Sequence, residues 1–184
     1  MKIQCNDLLD GALRLSVTYE AEHLPVLVEI AAAGDCEFPA PVAFSLRARM
    51  TADLVNVDGE FVTRLGLQCC RCLTPFEIER KAAVALTYSR ERSESLSNAG
   101  DGEFRLSPGE AGLIPYVGEE IDLLEGLQEQ VVLSIPYRSV CRDACKGLCP
   151  RCGADLNQGD CGCREEVRDS RFEALKHLKL PDGA

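Results

Sequence analysis

The chain patterns as an α+β protein: an antiparallel β-meander with a few helices and a small C-terminal module built on cysteines. Three observations carry this expectation. Between residues 42 and 88 apolar side chains alternate with polar ones in three successive runs, the period of half-buried strands. Residues 22–33 and 123–135 carry apolar positions at helical spacing instead. Six of the eleven cysteines fall in the 23 residues from Cys141 to Cys163. Three regions follow: an α+β domain over 1–137 with a mobile acidic loop at 89–118, a cysteine-rich module over 138–168, and a helix over 169–184 that docks back.

Taken in order, Met1 to Cys5 reads as a short strand, and Leu13, Leu15, Val17 and Tyr19 define a second. The helix expected over 22–33 has Pro25 in its first turn and Gly34 as its stop. Val42, Phe44, Leu46, Ala48 and Met50 open the meander, and the run continues towards Val57. Asp58-Gly59 is a hairpin signal, which places a turn there and a return strand over 60–68. That strand ends at Cys69-Cys-Arg-Cys72, and a third runs over 76–88 after Pro75. Residues 89–118 are rich in Ser, Glu, Gly and Asp, with room for at most a short strand. Asp122 is placed to cap a helix with Leu123, Leu127 and Val131 on one stripe, and Pro136 ends it. Asp169 caps a last amphipathic helix carrying Phe172, Leu175 and Leu178. No internal repeat is visible.

Cys149-Pro-Arg-Cys152-Gly is a metal-knuckle signature. Two thiolates two residues apart bind one ion, the intervening amides point at the sulfurs, and Gly153 permits the positive-φ turn that follows. In extended chain, Cys161-Gly-Cys163 puts both sulfurs on one side. Cys149, Cys152, Cys161 and Cys163 together can close a tetrahedral zinc site, which would make this stretch a zinc-knuckle module; disulfides, or reduced and unliganded thiols, are the alternatives. Cys69-x-x-Cys72 and Cys141-x-x-x-Cys145 are two further pairs. If they share an ion, a second zinc ties the meander to the C-terminal module. A rival assignment joins Cys141 and Cys145 to Cys149 and Cys152, leaving Cys161 and Cys163 for Cys69 and Cys72; spacing alone admits both. Cys5, Cys36 and Cys70 read as small buried hydrophobes.

The start of the chain shows no basic region followed by an apolar run, and no apolar stretch approaches the ~20 residues that cross a bilayer. The expectation is a reducing cytoplasm without membrane contact, where cysteine clusters bind metal rather than form disulfides. The net charge of −10 is uneven: residues 1–137 hold 11 Lys/Arg against 22 Asp/Glu, and residues 138–184 hold 9 against 8. Bulk electrostatics therefore oppose nucleic-acid binding, and any RNA contact needs a local basic patch. Arg138, Arg142, Lys146 and Arg151 cluster around the knuckles with Asp143 opposing them, and Arg71 lies in the other knuckle. They either face phosphates or balance the net negative charge of zinc tetrathiolates. The acidic remainder of the chain would suit a basic protein or serve as a solvated face.

Enzyme chemistry finds little support. A thioredoxin-like dithiol needs a helix N-terminus after a strand, and Cys69-Cys-Arg-Cys72 sits in a β-turn. The two histidines, His23 and His177, are remote from every cysteine pair, and no phosphate loop, dinucleotide fingerprint or hydrolase elbow appears. No catalytic residue and no small-molecule substrate is expected.

Three stretches resemble the YceD-like, large ribosomal RNA subunit accumulation protein family. Leu67-Gln-Cys-Cys-Arg-Cys-Leu-Thr-Pro-Phe76 is similar to its C-x-R-C turn. Glu120-Ile-Asp-Leu123 and the run to Ile135-Pro136 are similar to its central segment. Cys141 through Cys163, with Lys146-Gly-Leu-Cys-Pro150 and Gly153-Ala-Asp-Leu-Asn157, is similar to its cysteine tail, and Asp169-x-Arg-Phe-x-x-Leu-x-x-Leu178 also fits. The resemblance spans roughly residues 1–180. It implies a non-enzymatic role in 23S ribosomal RNA accumulation and large-subunit biogenesis, with pre-ribosomal RNA or a basic ribosomal protein as partner. The alternative is a zinc-dependent protein-interaction module with no ribosomal role.

Overall fold

In the computed structural model, residues 1–9, 11–90 and 112–163 are described. The helix expected over 169–184, the end of the cysteine module and residues 91–111 of the expected acidic loop lie outside them. The elements in chain order are β1 (Lys2–Gln4), β2 (Leu13–Tyr19), α1 (Pro25–Ala33), β3 (Val42–Thr51), β4 (Leu54–Gln68), β5 (Pro75–Arg90), β6 (Leu113–Tyr116), β7 (Glu120–Asp122) and α2 (Leu124–Leu133). Short 3-10 turns at Cys5–Leu8 and Ala21–His23 join them.

The main sheet has the order β2-β3-β4-β5-β6, and β1 pairs with β7 in a separate two-stranded sheet. β3, β4 and β5 form the expected meander. The whole sheet is not a pure meander, because β2 reaches β3 through α1 and β6 lies parallel to β5. A parallel neighbour requires a crossover. The chain supplies it between Arg90 and Leu113, where sequence periodicity gives no strand signal.

Alternation decides which face is buried. Val42, Phe44, Leu46 and Ala48 on β3, Val55, Val57 and Phe61 on β4, and Val84, Leu86 and Tyr88 on β5 share one core. Leu24 and Leu27 at α1, and Leu123, Leu127 and Val131 at α2, join the same cluster. Pro25 opens α1 and Gly34, at φ 81°, closes it, as expected. The Asp122 carboxylate accepts the Leu124 N–H at 2.9 Å and the N-terminal ammonium at 3.2 Å, so the expected acidic start of α2 also anchors Met1.

The turn expected at Asp58-Gly59 is not there. Both residues lie inside β4, opposite Arg47 and Leu46, and the hairpin turns two residues long at Ala52 and Asp53, between Thr51 and Leu54. Ala52 takes φ 54° to make it. The glycine serves a different need: a Cβ at 59 would overlap the Ser45 carbonyl and crowd Leu46 Cα at 2.8 Å. Close approach of two backbones and a tight turn leave the same mark in a sequence. β5 also outruns its expected end, taking in Ser89 and Arg90.

β4 and β5 continue paired beyond β3, from Thr63–Arg80 to Gln68–Pro75. This ribbon carries the Cys69–Cys72 turn at its tip. Its inner side is packed by Cys36, Leu65 and Leu67 with Ile30, Phe76, Ile78 and Ile135.

Replacing Gly59 by alanine should lower stability by about 1–3 kcal/mol, the usual cost of overpacking. The urea midpoint should fall with an unchanged slope; an unchanged midpoint would contradict the close approach of β4 to Ser45 and Leu46.

Candidate metal centres

Two groups of four sulfurs assemble at the ribbon tip and the C-terminal segment: Cys69, Cys72, Cys141 and Cys145, and Cys149, Cys152, Cys161 and Cys163. Within each group the sulfurs lie within 4.8 Å of one another. The rival assignment, with Cys141 and Cys145 beside Cys149 and Cys152, is not the one the fold adopts.

Both knuckles are built alike. The Cys69 N–H bonds the Thr74 carbonyl at 3.0 Å and the Leu73 N–H bonds the Cys69 carbonyl at 2.9 Å. The Cys149 N–H bonds the Ala154 carbonyl at 2.8 Å and the Gly153 N–H bonds the Cys149 carbonyl at 2.9 Å. Each turn closes on a left-handed residue, Gly153 at φ 73° and Leu73 at φ 60°. Glycine takes that conformation freely; leucine does so against a penalty of roughly 1–2 kcal/mol, which the surrounding packing must offset.

The first thiol of each knuckle is held ready to ionise. Burial opposes ionisation of Cys69, but N–H donors from Cys141, Cys72 and Arg71 outweigh it and bring the thiol down to about 6. At Cys149 the Cys152 and Arg151 N–H groups bring it to about 6 as well. Cys141 and Cys163 go the other way. Burial and hydrogen bonds to Cys145, Cys72 and Cys69 push Cys141 up to about 12, and hydrogen bonds to Cys152 and Cys161 push Cys163 up to about 12. Four thiolates this close repel one another, so without a cation some of them keep their protons.

A divalent cation removes that conflict, and the donor set fits one. Zinc–sulfur bonds of about 2.3 Å in a tetrahedron put the sulfurs about 3.8 Å apart. The Cys69–Cys145 sulfurs are 3.8 Å apart and the Cys72–Cys141 sulfurs 3.7 Å apart. Four soft sulfur donors leave no open coordination position, the arrangement of structural rather than catalytic zinc.

The two groups differ in their surroundings. Cys69, Cys72 and Cys145 are buried at 0, 6 and 4 % exposure, packed by Phe76, Val140 and Leu148. In the outer group Cys149 is buried, Cys161 is half-buried, and Cys152 and Cys163 are exposed.

Arg71 does not stand with the other basic residues. Its guanidinium donates to the Cys145 carbonyl at 2.9 Å and the Asp143 carbonyl at 3.4 Å, and its own carbonyl accepts the Leu148 N–H at 3.0 Å. Arg138, Arg142, Lys146 and Arg151 are exposed. Asp155 joins Asp143 as an acidic neighbour, its carboxyl held low first by the Asn157 N–H and side chain and also by Arg142.

Asn157 is a linking residue that spacing rules did not single out. Its Nδ2 donates to Cys145 Sγ at 3.5 Å and its Oδ1 accepts the Lys146 N–H at 2.9 Å. It thereby orders the chain between the two groups. Asp155-x-Asn157 is a turn-forming spacing, the only trace of this in sequence. Gly147 is similarly constrained, at φ 76° with a Cβ position 3.0 Å from the Arg71 carbonyl. Of the remaining cysteines, Cys5 and Cys36 are buried as expected, and burial pushes the Cys36 thiol up to about 11. Cys70 is exposed, against expectation: its position beside inward-facing Cys69 turns it outward, and its N–H bonds the Ser139 carbonyl at 2.8 Å.

This is a sheet protein whose longest hairpin is braced at its tip by cysteine knuckles. The chain belongs to the family described as Large ribosomal RNA subunit accumulation protein YceD, whose sequence profile matches residues 57–179. It is a family of accessory, non-catalytic factors. An uncharacterized protein of Mycobacterium tuberculosis strain H37Rv is 32% identical over 138 residues, covering 75% of this chain and 62% of the relative. The chloroplastic large ribosomal RNA subunit accumulation protein YCED homolog 1 of Arabidopsis thaliana is 26% identical over 156 residues, covering 76% and 49%. Its Zea mays counterpart is 27% identical over 143 residues, covering 67% and 49%. The chain thus spans between about half and two thirds of the length of these relatives. No solved structure matches it. No helix among the described residues is long and apolar enough to cross a membrane.

Replacing Cys72 by serine should remove one bound zinc equivalent and leave the outer one, read as metal content of the reduced, purified chain. Loss of both ions, or of neither, would contradict two separate centres.

Proposed function

We propose that this chain is a non-enzymatic factor for 23S ribosomal RNA accumulation and large-subunit biogenesis, working in the cytoplasm. The observation that carries the reading is the family match over 57–179, which takes in both cysteine groups and the strands that position them. The names of the plant relatives point the same way. Two zinc ions, one in each group, would lock the β4–β5 tip to the C-terminal segment and make a rigid platform. The exposed Arg138, Arg142 and Lys146 on that segment suit phosphates of pre-ribosomal RNA. The acidic remainder of the surface repels RNA elsewhere and would confine binding to the platform. A basic ribosomal protein on the acidic surface is the second partner class this charge division accommodates.

Depleting the protein should lower 23S relative to 16S RNA; an unchanged ratio would remove the ribosomal reading. Reversing charge at Arg138 and Lys146 should weaken RNA binding and flatten its salt dependence by roughly one unit of log–log slope for each phosphate no longer neutralised. Capture of ribosomal protein that persists after nuclease, with RNA affinity unchanged in these variants, would favour the protein partner.

A further inference from the structure

The two sulfur groups share their chemistry and differ in access. The knuckles have the same hydrogen-bond pattern, and each closes on a left-handed residue, Leu73 in one and Gly153 in the other. What separates them is the wall: Phe76, Val140 and Leu148 pack the inner group. The outer group presents Cys152 and Cys163 to solvent with all four sulfurs within 4.8 Å. Thiols oxidise according to thiolate character and exposure, and a second thiol close by turns the first product into a disulfide.

We propose that the outer group is a site of reversible oxidation, with hydroperoxides as its reactant class and Cys152 as the sulfur attacked first. The Cys152 thiolate attacks the peroxide, its sulfur takes one oxygen as a sulfenic acid, and hydroxide or alkoxide leaves with the O–O electron pair. The Cys163 sulfur then attacks that sulfenic sulfur, its thiol proton leaves with the expelled hydroxide as water, and the Cys152–Cys163 disulfide forms. Two cysteine sulfurs are oxidised by two electrons in all, and one peroxide is reduced. Forming a bond of about 2.05 Å requires the two sulfurs to close in. Gly153 and Gly162, both at positive φ with open space around their Cβ positions, flank the reacting residues and leave room for that movement. The inner group keeps the ribbon tip in place meanwhile. Release of the outer zinc would follow, since two of its four ligands are consumed; that part rests on the zinc reading, and the order of thiol oxidation does not.

The test is a titration of the full, reduced, zinc-loaded chain with hydrogen peroxide. A chromogenic chelator follows zinc, and alkylation with mass spectrometry follows each thiol. One zinc equivalent should leave on the order of tenfold faster than the other, with a disulfide at Cys152 and Cys163, and dithiothreitol with zinc should restore the start. Cys152→Ser and, as a second variant, Cys163→Ser should each abolish that disulfide, and Cys70→Ser should leave it intact. If the chain carries no metal, outer thiols oxidising before Cys69, Cys72 and Cys145 still supports the proposal while the zinc reading fails. Inner thiols oxidising first or at the same rate, or a first disulfide through Cys70, would overturn it.

Discussion

The clamp at the β4–β5 tip is the constraint on which the rest depends. Cys72 and Cys141 lie 69 residues apart in sequence and their sulfurs 3.7 Å apart in space; Cys69 and Cys145 are separated by 76 residues and 3.8 Å. Closing loops of that length costs chain entropy that a few peptide hydrogen bonds do not offset. An ion held by four sulfurs would, because its binding free energy becomes folding free energy when the unfolded chain has no site. Among the described residues, β4 past Thr63 is held by β5, the core patch around Leu65 and Leu67 and a bridge from Glu37 to Gly66.

From the clamp outward, each layer is ordered by the one before. Arg71 turns its guanidinium onto carbonyls of Asp143 and Cys145 and so aligns the second pair of sulfurs with the first. Asn157 reaches back from beyond the outer knuckle to a sulfur of the inner one, at 3.5 Å. Asn157 thereby links the two groups, and Lys146 lies on the chain that joins them. A surface charged by a handful of arginines and lysines has a definite shape only while the sulfurs under it are held.

Much of this was legible in the chain. Strict alternation from Val42 to Met50 and the i, i+4 stripe of Leu123, Leu127 and Val131 gave the strands and the helix, because each buries one face only. The knuckles were legible because two residues between cysteines is a spacing at which both sulfurs can reach one ion. The pairing of the knuckles was not: four pairs of sulfurs admit several partitions, and it is long-range contacts of the hairpin tip, Cys70 with Ser139 and Arg71 with Asp143, Cys145 and Leu148, that set Cys69 and Cys72 beside Cys141 and Cys145. Gly59 misled because glycine marks both turns and close backbone approaches. β6 falls where the sequence left room for a short strand, but its place was not legible, because its four residues gain their strand character from Thr87–Arg90 alongside, not from any pattern of their own. Cys70 looked like a core residue by type and is a surface residue by parity. Arg71 looked like a phosphate ligand by charge, and its guanidinium is turned to the protein's own carbonyls.

Eight sulfurs stand in two sets of four, and each set is proposed to enclose one zinc ion. X-ray absorption on the reduced chain purified with its native metal tests it most directly. Two zinc ions per chain are expected, each with four sulfur neighbours at about 2.3 Å and no nitrogen or oxygen bound to the metal. Metal-free protein that keeps its fold, or zinc bound through nitrogen and oxygen, would contradict it.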